Sequence, residues 1–208
     1  MPTISFVQCK GGAGKTTAAE AISYALALNQ TPVEVLDMDA NAYMAGWVGE
    51  HCKHMPNIKT ILTAGSSVES NVVRVIDTEG RSIGHVYDII YAMPEVDLFI
   101  IPCNPHVKAE INSATATANA VAEARPKAKV RILWNRVYVG ARGGESAQAA
   151  QQDILSELAK KLKIRALKSA IPDSRAFHAF GTSGWQALRN EHQQIFHRLA
   201  FELFGIIF

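Results

Sequence analysis

Cysteine is scarce in this chain of 208 residues: three in all, Cys9, Cys52 and Cys103, far apart and odd in number. That excludes a disulfide framework and fits a reducing compartment, so a cytoplasmic location is expected. An excess of charge of either sign is lacking as well. With 21 Lys and Arg against 19 Asp and Glu the net charge is +2, so no global field demands a nucleic-acid partner. Any such contact has to come from a local patch. No apolar run approaches the roughly 18 residues needed to span a bilayer. There is no internal repeat, low-complexity tract or linker, and the N-terminus enters a strand-like run directly, so no signal peptide is expected. At 48% hydrophobic and 19% charged residues the composition is ordinary for a globular chain. The length suits one α/β domain over residues 1–208 and is short for two.

What is present is concentrated in Gln8-Cys9-Lys10-Gly11-Gly12-Ala13-Gly14-Lys15-Thr16-Thr17. A β-branched and aromatic run, Thr3 to Val7, precedes it, and a helix-like segment from Ala18 to Leu28 follows. Strand, glycine loop and helix are the context of a phosphate-binding loop. Closely spaced glycines let successive N–H groups turn into one concavity, and the helix N-terminus adds partial positive charge, so a triphosphate fits. In this arrangement Gly11, Gly12, Ala13, Gly14, Lys15, Thr16 and Thr17 hold ATP. Lys15 reaches the β- and γ-phosphates, and the Thr16 hydroxyl ligates Mg²⁺. The usual spacing wants glycine at position 9, where Cys9 stands, and a second lysine, Lys10, comes directly before the glycines.

The form K-G-G-x-G-K-T-T resembles the deviant Walker A motif of the ParA/MinD family of ATPases. The resemblance implies that Lys10 reaches across a sandwich dimer to the phosphates held by the other subunit, with Lys10, Lys15 and Asp39 as the catalytic residues. The plainer reading of Lys10 is a surface lysine beside an ordinary loop.

Further along, Val33 to Leu36 reads as a strand ending in Asp37-Met38-Asp39, and carboxylates at such a strand end sit where open α/β sheets place their ligands. By resemblance to the family's D-x-D, Asp37 lies near the Mg²⁺ shell and Asp39 orients the attacking water. The family usually continues with Pro-Gln, where this chain has Ala40-Asn41. Asn41 stands in for the glutamine, and Trp47 six residues further on adds a likeness to the ParA relative that assists T-DNA transfer. His51-Cys52-Lys53-His54 lacks the spacing of a zinc site and reads as loop. Asn57 to Ser70 reads as helix, then loop.

Val72 to Asp77 is an apolar strand closed by an acid, the Walker B pattern, so Asp77 is a third metal candidate beside Thr16 and Asp37. Asp77-Thr78-Glu79-Gly80 fits the D-x-x-G that senses a γ-phosphate, with the Gly80 N–H as the contact; Glu79 is a solvated residue or an added acid. Val96 to Pro102 reads as a buried central strand, and Pro102-Cys103-Asn104-Pro105 resembles the family's P-x-x-P. A helix is expected from Lys108 to Ala124 with Asn and Thr on its polar side, and a strand from Val130 to Trp134. Asn135 at that strand's end is the adenine candidate, by resemblance, or a capping residue.

Val139 to Gly144 reads as a loop, with Ser146 capping a helix that runs to Leu162. Lys160, Lys161, Lys163, Arg165 and Lys168 form a basic cluster, either a grip on DNA phosphates or the complement of a helix dipole. Ala170 to Arg175 resembles the family's I-P-x-S-x-R, which implies Pro172 and Asp173 at the adenine pocket and leaves Arg175 open between nucleotide and DNA. Ala179-Phe180-Gly181 extends the likeness. The last helix, Gly184 to Phe204, carries Ile195, Phe196, Leu199, Leu203 and Phe204 in one stripe. Few cations flank that stripe, so packing on the sheet is preferred to a membrane anchor.

The expected fold is therefore α/β: a single P-loop NTPase domain, a mostly parallel twisted sheet with helices on both faces. It has no room for the helix-turn-helix domain of larger partition ATPases. The resemblance implies an ATP hydrolase with ATP and Mg²⁺ as cofactors. It would form a homodimer on ATP binding, bind DNA non-specifically, and act in plasmid partition or conjugative DNA transfer. A centromere-binding or relaxase/secretion-type partner would stimulate hydrolysis, and membrane is disfavoured. The alternatives are a MinD-like membrane-cycling positioner and a metabolic ATPase of the same superfamily; no cysteine pair offers ligands for an iron–sulfur cluster.

Overall fold

A computed structural model describes residues 2–62, 71–138 and 145–207. Six strands form one sheet in the order β3-β2-β4-β1-β5-β6, and every pairing is parallel. They are β1 (Thr3–Phe6), β2 (Val33–Asp37), β3 (Ile58–Ile61), β4 (Val73–Asp77), β5 (Leu98–Cys103) and β6 (Lys129–Trp134). The helices are α1 (Lys15–Leu28), α2 (Tyr43–His51), α3 (Ile83–Ala92), α4 (Lys108–Ala124), α5 (Glu145–Leu162), α6 (Ala176–Ser183) and α7 (Asn190–Ile207). A single 3₁₀ turn, Trp185–Ala187, lies between α6 and α7.

Alternation along the strands divides the core in two, because successive side chains leave opposite faces of a sheet. Ile4, Phe6, Val35, Val75, Ile100 and Leu133 meet α1, α2, α6 and α7 on one face. Leu36, Ile76, Phe99, Ile101, Ile132 and Trp134 meet α3, α4 and α5 on the other. Phe6 and Phe99 are fully buried, and each contributes about 2–3 kcal/mol of hydrophobic stabilisation. β5 is buried at all six positions, as a central parallel strand covered on both faces should be.

One cluster of opposite charges is set in register across three strands. Glu34 of β2 is paired with Lys59 of β3 and with Arg74 of β4. Its carboxylate bonds Arg74 at 3.0 Å and Lys59 at 3.2 Å, and Glu34 and Arg74 are both buried. Three strand positions are thus one cross-strand ion triad.

The segment after Asn57 departs from expectation: Ile58–Ile61 is the edge strand β3, not a helix. The apolar Ile58 and Ile61 suit a short edge strand as well as a helical turn, and only pairing with β2 decides between them. Residues 63–70 lie outside the described residues, as does the loop at 139–144. α1 starts at Lys15, three residues before the segment read as helical, because the glycine loop ends at Gly14. α5 starts at Glu145, which puts Ser146 in its first turn. α7 packs on α1 through Phe196, Leu199 and Leu203, all 0% exposed. Among the described residues no helix is long and apolar enough to cross a membrane.

Candidate nucleotide site

The strand order reverses around β1: the chain crosses to β2 on one side and later to β5 on the other. Ligands of open α/β sheets bind at the strands' C-terminal ends at such a point. The turn that fills it is the glycine loop. Gly12 and Gly14 have φ of 74° and 88°, values that residues with a Cβ rarely adopt. At Gly14 a Cβ would also stand 2.3 Å from the Asn135 amide nitrogen, so only glycine fits. Gly14 is the N-cap of α1 and offers no side-chain acceptor, and the first turn holds no acid. The first N–H groups of α1 therefore remain for an anion.

Register brings the acids together. Asp77 of β4 pairs with Phe6 of β1 and with Asp37 of β2, so the two carboxylates sit side by side at the sheet's upper edge. Thr16 donates to Asp77 Oδ2 at 2.6 Å, whereas Asp77 Oδ1 is buried with no partner among the described residues. Burial pushes the Asp77 carboxyl up to about 7, against the Thr16 hydrogen bond and with help from the neighbouring Asp37. An orphaned buried carboxylate oxygen beside a threonine hydroxyl is an all-oxygen donor set suited to Mg²⁺, a hard cation.

Asp37 has a different engagement. Its Oδ1 accepts from the Asp39 N–H at 2.9 Å and its Oδ2 from the Ala45 N–H at 2.9 Å. It thereby braces the turn that carries Asp39 and the start of α2. Asp39 Oδ1 in turn accepts from the backbone N–H and the side-chain amide of Asn41, both at 2.9 Å. Asn41 is thus a polar contact within this turn.

Lys15 is buried, and burial lowers its pKa against the pull of Asp77, Asp39 and, more weakly, Glu79. Its ammonium lies against Gly80, where a Cβ would come within 2.5 Å of Lys15 Nζ and 2.9 Å of the Lys10 carbonyl oxygen. The D-x-x-G turn therefore packs directly on the glycine loop. Glu79 is occupied by Arg81 and by His85, the latter at 3.4 Å. Lys10 turns back to Glu110 of α4, Nζ to Oε1 at 3.0 Å.

Asn135, Pro172 and Asp173 line one cleft beside Gly14 and Thr17, joined by Arg136 and Phe177. The Asn135 amide donates to the Ala13 carbonyl at 2.8 Å, and the Arg136 guanidinium bonds the Gly12 carbonyl. Asn135 thus also buttresses the loop. Arg175 is exposed at the start of α6. Lys160 bonds Glu157 at 2.7 Å, and Lys161, Lys163, Arg165 and Lys168 are exposed. Beyond that cluster, Arg131 and Arg198 line a groove with Lys168, and burial with the nearby Arg165 lowers the Arg131 pKa.

Three participants went unread in the sequence. Glu20, one turn below Thr16 on α1, is buried, and burial with Asp77 and Asp37 nearby pushes it up to about 8. Its fourth place after Thr16 was the available signal, since residues four apart share a helix face. Arg136 and Phe177 had no signal beyond following named motifs. On α4, Ser113 and Thr117 face inward: Gln8 Oε1 accepts from both hydroxyls at 3.0 Å, and the Cys9 N–H donates to Thr117 at 3.2 Å. Part of this helix's polar side is thus wired to the glycine loop. His51 packs at a tilt against Trp47 and His54 lies 3.5 Å from the Tyr24 hydroxyl; among the described residues no cluster of three or more His, Cys, Asp or Glu could hold a metal.

Comparison with known proteins agrees with this geometry. A family model described as an AAA domain matches residues 1–120. Protein ParA of Rhizobium radiobacter is 31% identical over 117 residues, a stretch covering 50% of this chain and 50% of that protein. The MinD cell division protein of Aquifex aeolicus superposes with a TM-score of 0.74 at 17% identity, over 99% of this chain and 98% of that one. A plasmid partition protein from Borrelia burgdorferi bound to AMPPNP gives 0.69 at 16% identity, over 98% of each chain. ParA of pNOB8 bound to nonspecific DNA gives 0.60 at 14% identity, over 99% of this chain and 98% of that one. At these identities the superpositions speak for the fold. With the AAA domain model matching more than half its length, the chain belongs to that family, and its fold is the one shared by MinD and the partition proteins.

Proposed function

We propose that this protein is an ATP-operated switch: ATP joins two copies, the joined form holds DNA without sequence preference, and hydrolysis releases it. The observation that carries this reading is the Thr16–Asp77 pair with Lys15 beside it, under a glycine loop whose helix N-terminus is uncapped. In it, Thr16 and Asp77 hold Mg²⁺, which supplies charge neutralisation for the triphosphate. Lys15 binds the β- and γ-phosphates, and Gly80, packed on the loop, senses the γ-phosphate through its N–H. Asp39, fixed by Asn41 and Asp37, orients the water. Phosphoryl transfer needs placement and charge neutralisation more than covalent help, and these residues supply both. Asn135, Pro172 and Asp173 form the wall for the base.

Lys10 reaches the partner's phosphates in the dimer. Lys161, Lys163, Arg165 and Lys168 contact DNA phosphates, with Arg131 and Arg198 extending the patch and Lys160 joining once released from Glu157. The DNA-bound pNOB8 relative and the plasmid partition protein of Borrelia burgdorferi support the DNA reading; the proposed role is plasmid partition or conjugative transfer, with a partner protein stimulating hydrolysis. A membrane-cycling role needs a free apolar face on the last helix. Phe196, Leu199 and Leu203 are committed to the core and, among the described apolar side chains of α7, only Phe201, at 82%, is strongly exposed, which supports the DNA reading.

The test measures DNA and anionic-vesicle co-sedimentation with and without Mg²⁺·ATP, alongside sedimentation velocity and phosphate release. ATP-dependent dimers and DNA retention are expected. Retention should fall in Lys161→Ala/Lys163→Ala/Arg165→Ala, and turnover should fall in Lys15→Ala and Asp39→Ala. A wild type that stays monomeric with Mg²⁺·AMPPNP overturns the proposal; vesicle binding without DNA binding replaces it with the membrane role.

A further inference from the structure

We propose that Glu110 is a positioning residue that holds Lys10 inside its own subunit, so that ATP-driven dimerisation must first break this ion pair. The inference rests on the switch reading above and concerns how that switch is restrained. Lys10 Nζ and Glu110 Oε1 are 3.0 Å apart, while Glu110 Oε2 accepts the Asn104 N–H, also at 3.0 Å. The carboxylate is thus gripped from both sides. It also sits in the first turn of α4, where the helix dipole favours negative charge.

The two partners are unequally fixed. The Glu110 side chain is 5% exposed and the Lys10 side chain 39%. The chain at and just before Lys10 is held in place: Gln8 and Cys9 bond Ser113 and Thr117 of the same helix, and the Lys10 carbonyl packs against Gly80. Only the lysine's long side chain is free to change partner. A lysine that exchanges Glu110 for a phosphate on the facing subunit gives up a charge-assisted bond of similar kind, and this sets a threshold for closure. The position of Glu110 on α4 couples that threshold to the loop after β5, through Asn104.

The test is sedimentation velocity with Mg²⁺·AMPPNP on wild type, Glu110→Gln and Glu110→Ala. Glutamine keeps an acceptor for the Asn104 N–H and removes the charge. Release of Lys10 should tighten the AMPPNP dimer of Glu110→Gln roughly three- to tenfold at low salt, the range expected for a partly exposed ion pair. That advantage should shrink in 0.5 M NaCl, with monomer affinity for a fluorescent ATP analogue unchanged. Lys10→Ala/Glu110→Gln should show no gain over Lys10→Ala. A purely structural Glu110 would leave Glu110→Gln like wild type and weaken Glu110→Ala. A dimer constant in Glu110→Gln that is unchanged or weaker, with wild type dimerising normally, overturns the latch and leaves the switch standing. Failure of wild type to dimerise overturns both.

Discussion

Asp77→Asn should make the nucleotide-free protein more stable at pH 8 while abolishing its response to Mg²⁺·ATP. Asp77 is 0% exposed and its Oδ1 has no partner among the described residues. Moving a carboxyl from an ordinary 3.8 to about 7 disfavours its charged form in the folded protein, on the order of 2–4 kcal/mol once fully ionised. The sign follows from proton counts. Between pH 4 and 7 the folded state holds the proton that the unfolded chain has released, so stability declines as pH rises through that window and is level above it. Glu20, raised to about 8, extends the decline in both proteins. Asparagine keeps an acceptor for Thr16 and carries no charge. Urea unfolding at pH 4, 5, 6, 7 and 8 should therefore show the variant's advantage growing with pH, from a small value at pH 4, through about a third of its full size at pH 5, to about 2–4 kcal/mol at pH 8. With Mg²⁺·ATP at about 1,000 times its dissociation constant, wild type should gain about 4 kcal/mol and the variant far less. A variant destabilised at pH 8 without nucleotide, or a difference independent of pH, would refute the reasoning.

Other sites give shorter predictions. Gly14→Ala meets both a φ of 88° and the Asn135 amide, so it should destabilise the fold by about 1–3 kcal/mol in urea titrations and remove ATP binding in fluorescence titration. Glu34→Ala leaves Arg74 buried and unpaired and should cost about 3–5 kcal/mol, while Glu34→Met/Arg74→Leu should recover most of the loss; equal losses in both would show that packing, not charge, governs the site. Trp47 lies on α2, just past the Asp37–Asp39 turn, with its Nε1 donating to the Phe180 carbonyl at 3.3 Å. Mg²⁺·AMPPNP should shift tryptophan emission, and Trp47→Phe should remove most of that shift; an undiminished signal would place the change elsewhere.

The parts of this protein readable in one dimension are those where chemistry demands particular residues in sequence. A backbone that must turn twice at positive φ needs Gly12 and Gly14, and a loop that must hold phosphate needs Lys15 and Thr16 directly after them. The apolar run Leu98–Ile101 could only be a strand covered on both faces. Other features arise from elements far apart in the chain. Ile58–Ile61 is a strand because β2 offers it an edge, and no local preference could show that. Asp77 is raised to about 7 because the assembled sheet closes it off from water and, less strongly, because register sets it beside Asp37. Thr117 reads only as part of a helix's polar side, and Ser113 and Glu110 carry no reading, yet packing turns all three onto the glycine loop about 100 residues earlier in the chain. Local sequence specifies where a phosphate can sit, because that depends on backbone shape over a few residues. The partners of each charge around it depend on which strands lie side by side, and only the assembled sheet decides that.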